Sequence, residues 1–198
     1  MKKAGLGAGA AILGFLAIVV VITLVWVMNT YNGLVELRID TDGGWAQVET
    51  QYQRRADLIP QLVATVQGAA DFEEDVLTAV TEARTNWLDT SSSPTATIDD
   101  EIAASSQFDS ALSRLLLTVE NYPTLTATEG FLTLQSQLEG TENRVAVARK
   151  DYNELVTVYN TAIQVVPAKL VATWFSFDLY PFFEAQEGAE EAPEVEFE

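Results

Sequence analysis

The chain has 198 residues, enough for one domain with a sizeable core, and it contains neither cysteine nor histidine. Thiolate and imidazole metal sites, cysteine nucleophiles, Ser-His-Asp triads, disulfides and the Glu-x-x-His pairs of di-iron bundles are therefore excluded by composition. The formal charge is −18: two of the 11 basic residues, Lys2 and Lys3, precede the first apolar run, and the other nine stand against all 29 acidic residues beyond it. Such a surface repels a phosphate backbone and argues against nucleic acid as a partner; it suits cations, basic protein surfaces or plain solvation in a salty environment.

Residues 4–28 (AGLGAGAAILGFLAIVVVITLVWVM) form a run of 25 without a charge, long enough to span a bilayer. The run exceeds the apolar core of a signal peptide, and the following NTYNGL has no small-residue cleavage pattern. Without cysteine a lipoprotein anchor is impossible. Residues 1–28 are thus expected to be a short N-terminus and a single transmembrane helix in the cell membrane. Lys2 and Lys3 favour a cytoplasmic N-terminus, with everything after Asn29 on the outer side; Arg38 and the Arg54/Arg55 pair weigh the other way. Trp26 and Tyr31 sit where interfacial aromatics belong. Gly5, Gly7, Gly9 and Gly14 would permit close helix packing in the membrane, although glycine is common in such spans.

From Tyr31 the chain keeps a 3-4 spacing: Tyr31, Leu34, Arg38, Thr41, Trp45, Val48, Tyr52, Arg55, Ile59, Leu62, Val66. This is the seam of a bundle or coiled-coil helix, with only the glycines at 43 and 44 to interrupt it. Asp71 with Glu74 resembles a capping box and opens a second helix with Phe72, Val76, Val80, Ala83 and Trp87 on one face. DTSSSPT (89–95) is turn chemistry. A third helix from about Ile98 carries Leu112, Leu115, Leu116 and Val119 and stops at NYP, because Pro123 disfavours helix in the residue before it. Thr126 with Glu129 makes another capping box, opening a second long seam: Phe131, Leu134, Leu138, Thr141, Val145, Ala148, Tyr152, Leu155, Tyr159, Ala162, Val166. WFSFDLYPFF (174–183) follows as a short helix or aromatic turn. Residues 184–198 are acidic and contain Pro and Gly, which predicts a disordered tail. The expected fold is all-α: a transmembrane helix followed by an antiparallel up-and-down bundle of about four helices over residues 29–183.

One seam position carries a charge. The two long seams each cover 36 residues, about 54 Å of helix. If Tyr31 stands level with Val166 on an antiparallel neighbour, Arg55 stands level with Glu142. A buried charge requires a paired, hydrogen-bonded partner, so Arg55 and Glu142 are expected to form a structural polar layer, with Glu120 the alternative partner and Arg149 sharing the network. Pro60 lies off the seam, and its missing N–H frees the Ala56 carbonyl as an extra acceptor.

The stretches YNGLV, RRADLIPQLV, VENYPTL, LEGTENRVAVARKDYNELVTVYN and VPAKLVA, in this order, resemble the LemA family over roughly residues 30 to 183. The chain departs from that family's pattern in having Gln61 where Asn is frequent and Ala or Thr at some basic positions; the acidic tail is its own. The resemblance implies one membrane helix and a helical bundle, in a family not known for an enzymatic activity. Some relatives are linked to bacterial membrane biogenesis, including that of magnetosome membranes.

Three functional readings follow. The first is a non-catalytic, membrane-anchored scaffold without cofactor or metal, which forms a homo-oligomer or recruits a membrane or envelope protein. Trp174, Phe175, Phe177, Tyr180, Phe182 and Phe183 are its candidate interaction surface, or else a plug over the open end of the bundle. The second is a single-pass sensor that signals across the membrane. The third is an enzyme using carboxylates such as Glu139, Glu142 and Asp151; acids on one helix are more often solvated or structural.

Overall fold

The computed structural model describes residues 3–68 and 72–184, with side chains from Ile12 onward. Among the described residues six helices account for the regular structure, α1 (Lys3–Val66), α2 (Glu74–Ser91), α3 (Ile98–Val119), α4 (Pro123–Thr126), α5 (Glu129–Gln164) and α6 (Ala168–Trp174), and there is no strand. The chain is all-α, as expected.

α1 is a single helix of 64 residues and is not interrupted at Gly43 and Gly44. Among the described residues it is the one helix long and apolar enough to cross a membrane. Its apolar side chains from Ile12 to Val25 are exposed throughout, the signature of a helix whose solvent is not the protein itself. Gly14 has open space around it; the other three glycines of the series lie before the described side chains.

The chain divides into two compact units, Gly44–Glu154 with Pro181–Glu198, and Met1–Gly43 with Leu155–Tyr180. In the first, specific pairings set the directions of the long helices. Arg84 reaches the Ala56 carbonyl and Trp87 packs on Tyr52, so α2 runs against α1. Trp45 bonds Glu101 and Tyr52 bonds Asp109, so α3 runs along α1. Trp45 meets Tyr152 and Arg55 meets Glu142, so α5 runs against α1. The result is an up-down-up-down bundle. The α1 seam from Thr41 to Val66 is buried at every predicted position, as are Val76, Val80 and Trp87 of α2 and Leu112, Leu115 and Val119 of α3. Each fully buried aliphatic side chain contributes roughly 1.5–3 kcal/mol.

The caps explain where the helices begin. The Thr97 hydroxyl accepts from the Asp100 N–H at 3.2 Å while the Asp100 carboxylate accepts from the Thr97 N–H at 2.9 Å, a reciprocal capping box for α3. The expected cap at Thr126 is displaced. Pro123 starts the short α4, in which Thr126 is the last residue, and Thr128 accepts from the Phe131 N–H to open α5. The expected cap Asp71 lies outside the described residues; α2 starts at Glu74.

In the second unit, Leu34 of α1 packs with Tyr159 and Ile163 of α5 and Val171 and Ala172 of α6, with Phe177 and Tyr180 against that cluster. Three predicted seam positions are exposed: Tyr31, Arg38, and Val166, which is 71% exposed because α5 ends at Gln164 before Pro167. α6 closes in a Schellman turn. The Phe177 N–H returns to the Ala172 carbonyl at 3.0 Å and the Ser176 N–H to Thr173 at 3.4 Å, with Ser176 in the left-handed region at φ 55°.

Candidate functional site

The densest assembly of polar chemistry lies in the bundle of the first unit. Arg55, on the buried seam of α1, is only 1% exposed. Its two terminal nitrogens separate onto two carboxylates, Nη1 to Asp109 of α3 and Nη2 to Glu142 of α5. Arg149, two turns further along α5, donates to the other Asp109 oxygen and to the Tyr52 hydroxyl. That hydroxyl in turn donates to Asp109 at 2.8 Å. Both guanidinium groups lie over the Tyr52 ring, 5.4 and 5.3 Å from its centroid, and Arg149 lies 4.7 Å from that of Phe183. Burial pushes the Asp109 carboxyl up to about 7; Arg55 pulls the other way and the Glu142 carboxylate adds to the rise. Burial lowers the Arg149 pKa.

The carbonyl freed by Pro60 is used. Arg84 of α2 donates its Nε–H to the Ala56 oxygen at 2.7 Å, so the proline generates a tie between α1 and α2. A second polar group lies nearer the start of this part of α1. The Trp45 indole N–H donates to Glu101 at 3.2 Å, and burial together with the neighbouring Glu49 carboxylate pushes Glu101 up to about 7. The Trp45 ring stacks on Phe183 at 5.5 Å and meets Tyr152 edge-on at 5.2 Å.

Of the residues expected in the polar layer, the structure brings together Arg55, Glu142 and Arg149. Glu120 is elsewhere. It is exposed at the C-cap of α3 and lines, with Glu139 and Glu142, a cavity of about 660 Å³ whose floor is Leu112, Leu116, Val119, Phe131 and Leu138. The inner acid is Asp109 instead, three helical turns before Glu120. Extending the Leu112–Leu115–Val119 spacing backward reaches Phe108, Ser105 and Glu101, all buried, and Asp109 flanks that line; this was the signal for it. The acids Glu139, Glu142 and Asp151 do not converge: Glu139 accepts from Gln135, Glu142 is committed to Arg55, and Asp151 is exposed. Among the described residues no group of three or more acids is placed to hold a metal ion. The geometry is that of an ion-pair and aromatic lock, buried at Arg55 and open at Glu142, which can set helix register.

The aromatic segment is divided, each part within its own unit. Phe177 and Tyr180 are packed on the α5–α6 cluster, and Tyr180 donates to Asp42. Phe183 covers Trp45, Tyr152 and Arg149. Trp174, Phe175 and Phe182 remain exposed. Trp174 ends α6, Phe175 and Ser176 form the turn that closes it, and residues 177–184 carry no regular secondary structure. Phe177, Tyr180 and Phe183 are half-buried within their units, and side-chain amides of α5 hold the backbone of Tyr180 and of Phe183. Asn160 exchanges two hydrogen bonds with Tyr180 at 2.9 and 3.0 Å. Asn153 does the same with Phe183, both at 3.0 Å.

The family model described as LemA family matches residues 44–197. Magnetosome protein MamQ 2 of Paramagnetospirillum magneticum is 24% identical over 204 residues, covering 92% of this chain and 75% of its own. Magnetosome protein MamQ of Magnetospirillum gryphiswaldense is 22% identical over 203 residues, with the same coverage of both chains. Protein LemA of Metamycoplasma hominis is 23% identical over 158 residues, 79% of this chain and 69% of its own.

Proposed function

The chain belongs to the LemA family, and from that premise we propose that it is a membrane-anchored, non-catalytic scaffold that self-associates or recruits a protein partner in membrane organisation. One observation carries the reading: a single helix, α1, bears both a wholly exposed apolar stretch from Ile12 and a buried bundle seam ending at Val66. Such a helix anchors in lipid at one end and supplies a structural wall at the other. The nearby polar groups support a structural role, since the arginines and acids neutralise one another. The MamQ relatives are named as magnetosome proteins, which supports a setting in membrane organisation. In this reading residues 1–28 are the anchor, residues 29–183 stand outside the membrane on its outer face with the N-terminus in the cytoplasm, and residues 184–198 are an acidic tail.

Chemical crosslinking of the full chain in native membranes, followed by mass spectrometry, should yield crosslinks between copies or to one recurrent membrane protein. Light scattering in mild detergent should show an oligomer. A monomer across a wide concentration range, with no recurrent crosslink, would overturn the scaffold reading. Labelling of cysteines introduced at Ala4 and Ser92 should find opposite sides of the membrane, Ser92 outside.

A further inference from the structure

The turn from α5 into α6 carries apolar side chains that the fold leaves uncovered: Val165, Val166, Leu170, Trp174 and Phe175 are all exposed, Leu170 at 67% and Trp174 at 81%. α6 is two-sided. Val171 and Ala172 are buried against Leu34 and Ile163, and Leu170 and Trp174, one turn apart, project away from that pair. We infer that this elbow is a membrane-interface foot, seated among lipid headgroups beside the anchor helix. The inference rests on the anchoring reading, and the anchor supplies the depth. The apolar stretch of α1 runs to Met28, and Tyr31 lies about 4.5 Å further along the axis. Each headgroup layer of a bilayer is about 5–7 Å deep, so Tyr31 stands within it. The Phe175 ring packs on Tyr31 with centroids 4.8 Å apart, which places the end of α6 at that same depth. Tryptophan at this level, with aliphatics on the same side, is the composition of an interfacial segment. The charge agrees: Lys169, on α6 and exposed, is the last basic residue of a chain otherwise acidic after Lys150, and its ammonium can reach an anionic headgroup.

The chain has no cysteine, so single-cysteine labels are unambiguous. The full-length variants Val20→Cys, Ser92→Cys, Leu170→Cys and Trp174→Cys would be labelled with an environment-sensitive fluorophore and reconstituted in vesicles of phosphatidylcholine and phosphatidylglycerol. Quenchers placed near the headgroup or deep in the acyl chains then report depth. Labels at 170 and 174 should be quenched several-fold more by the shallow probe, the label at 20 by the deep probe, and the label at 92 by neither. Aqueous emission at 170 and 174 with 20 still deep would overturn the foot and leave the anchor standing. Shielding at 170 and 174 that is insensitive to lipid quenchers but rises with protein-to-lipid ratio would assign the patch to a second copy and also overturn it. An unquenched label at 20 would remove the anchoring reading, and the foot with it.

Discussion

The Arg55 guanidinium has exchanged water for two carboxylates of very different standing. Asp109 has a side chain 14% exposed and Glu142 one that is 63% exposed. Stranding a buried charge costs about 3–5 kcal/mol, whereas a solvated pair contributes about 1 kcal/mol or less. Asp109→Asn should therefore lower the unfolding free energy of the full chain in detergent by several-fold more than Glu142→Gln. Arg55→Leu with Asp109→Leu should recover part of the loss that either causes alone. Equal losses for the two acid variants in denaturant titrations would show that Asp109 is not the inner partner. Glu101 adds a pH dependence. Its folded pKa, about 7, stands above the ordinary 4.5, so between those values the unfolded chain has released a proton that the folded chain keeps. Stability from this group is present below about pH 4.5, is lost as pH rises toward about 7, and is level above. Glu101→Gln keeps an acceptor for the Trp45 indole and has no proton to lose. Its melting temperature should fall less than that of the unchanged protein between pH 5 and pH 8; parallel curves would reject the assignment.

At the scale of elements, the irregular segment after α6 has no helix or sheet to join, yet its backbone polar groups still need partners. A carboxamide offers one donor and one acceptor, as a peptide group does, and Asn160 and Asn153 each satisfy one residue's N–H and C=O together. Losing a buried hydrogen-bond partner costs about 1–3 kcal/mol. Asn160→Ala should speed hydrogen exchange around Tyr180, and Asn153→Ala around Phe183, with α2 and α3 little changed; unchanged exchange at those residues would show that the ring contacts alone hold the segment. Much of each helix was legible from spacing. The α5 seam is the instructive exception. Phe131, Leu134, Leu138, Thr141, Val145, Tyr152 and Tyr159 are buried as expected, but Val156 and Ile163 are buried where Leu155 and Ala162 were predicted. A straight α-helix drifts about 20° per heptad from a strict seven-residue repeat, and after three heptads the next residue at two seam positions faces inward while Tyr159 stays buried.

For the molecule as a whole, the sequence by itself determined the class of architecture. The all-α class, the exposed apolar stretch on the first helix and the membership of one family follow from properties written along one dimension: hydrophobic period, run length and ordered motifs. Composition removed thiolate and imidazole chemistry in the same way, since a missing residue type is missing in any fold. Even the burial of Arg55 was readable, because it stands on a line of apolar positions three and four apart. The tertiary structure decided who meets whom. That Arg55 shares Asp109 with Arg149, that Arg84 uses the carbonyl freed by Pro60, and that Phe177 and Phe183 are covered while Trp174 is bare depend on the rotation and level of helices distant in the chain. Those quantities are set by the joint packing of several seams, and no single segment carries them: an aspartate beside Phe108 reads as a solvated helix flank until α1 and α5 are laid against it.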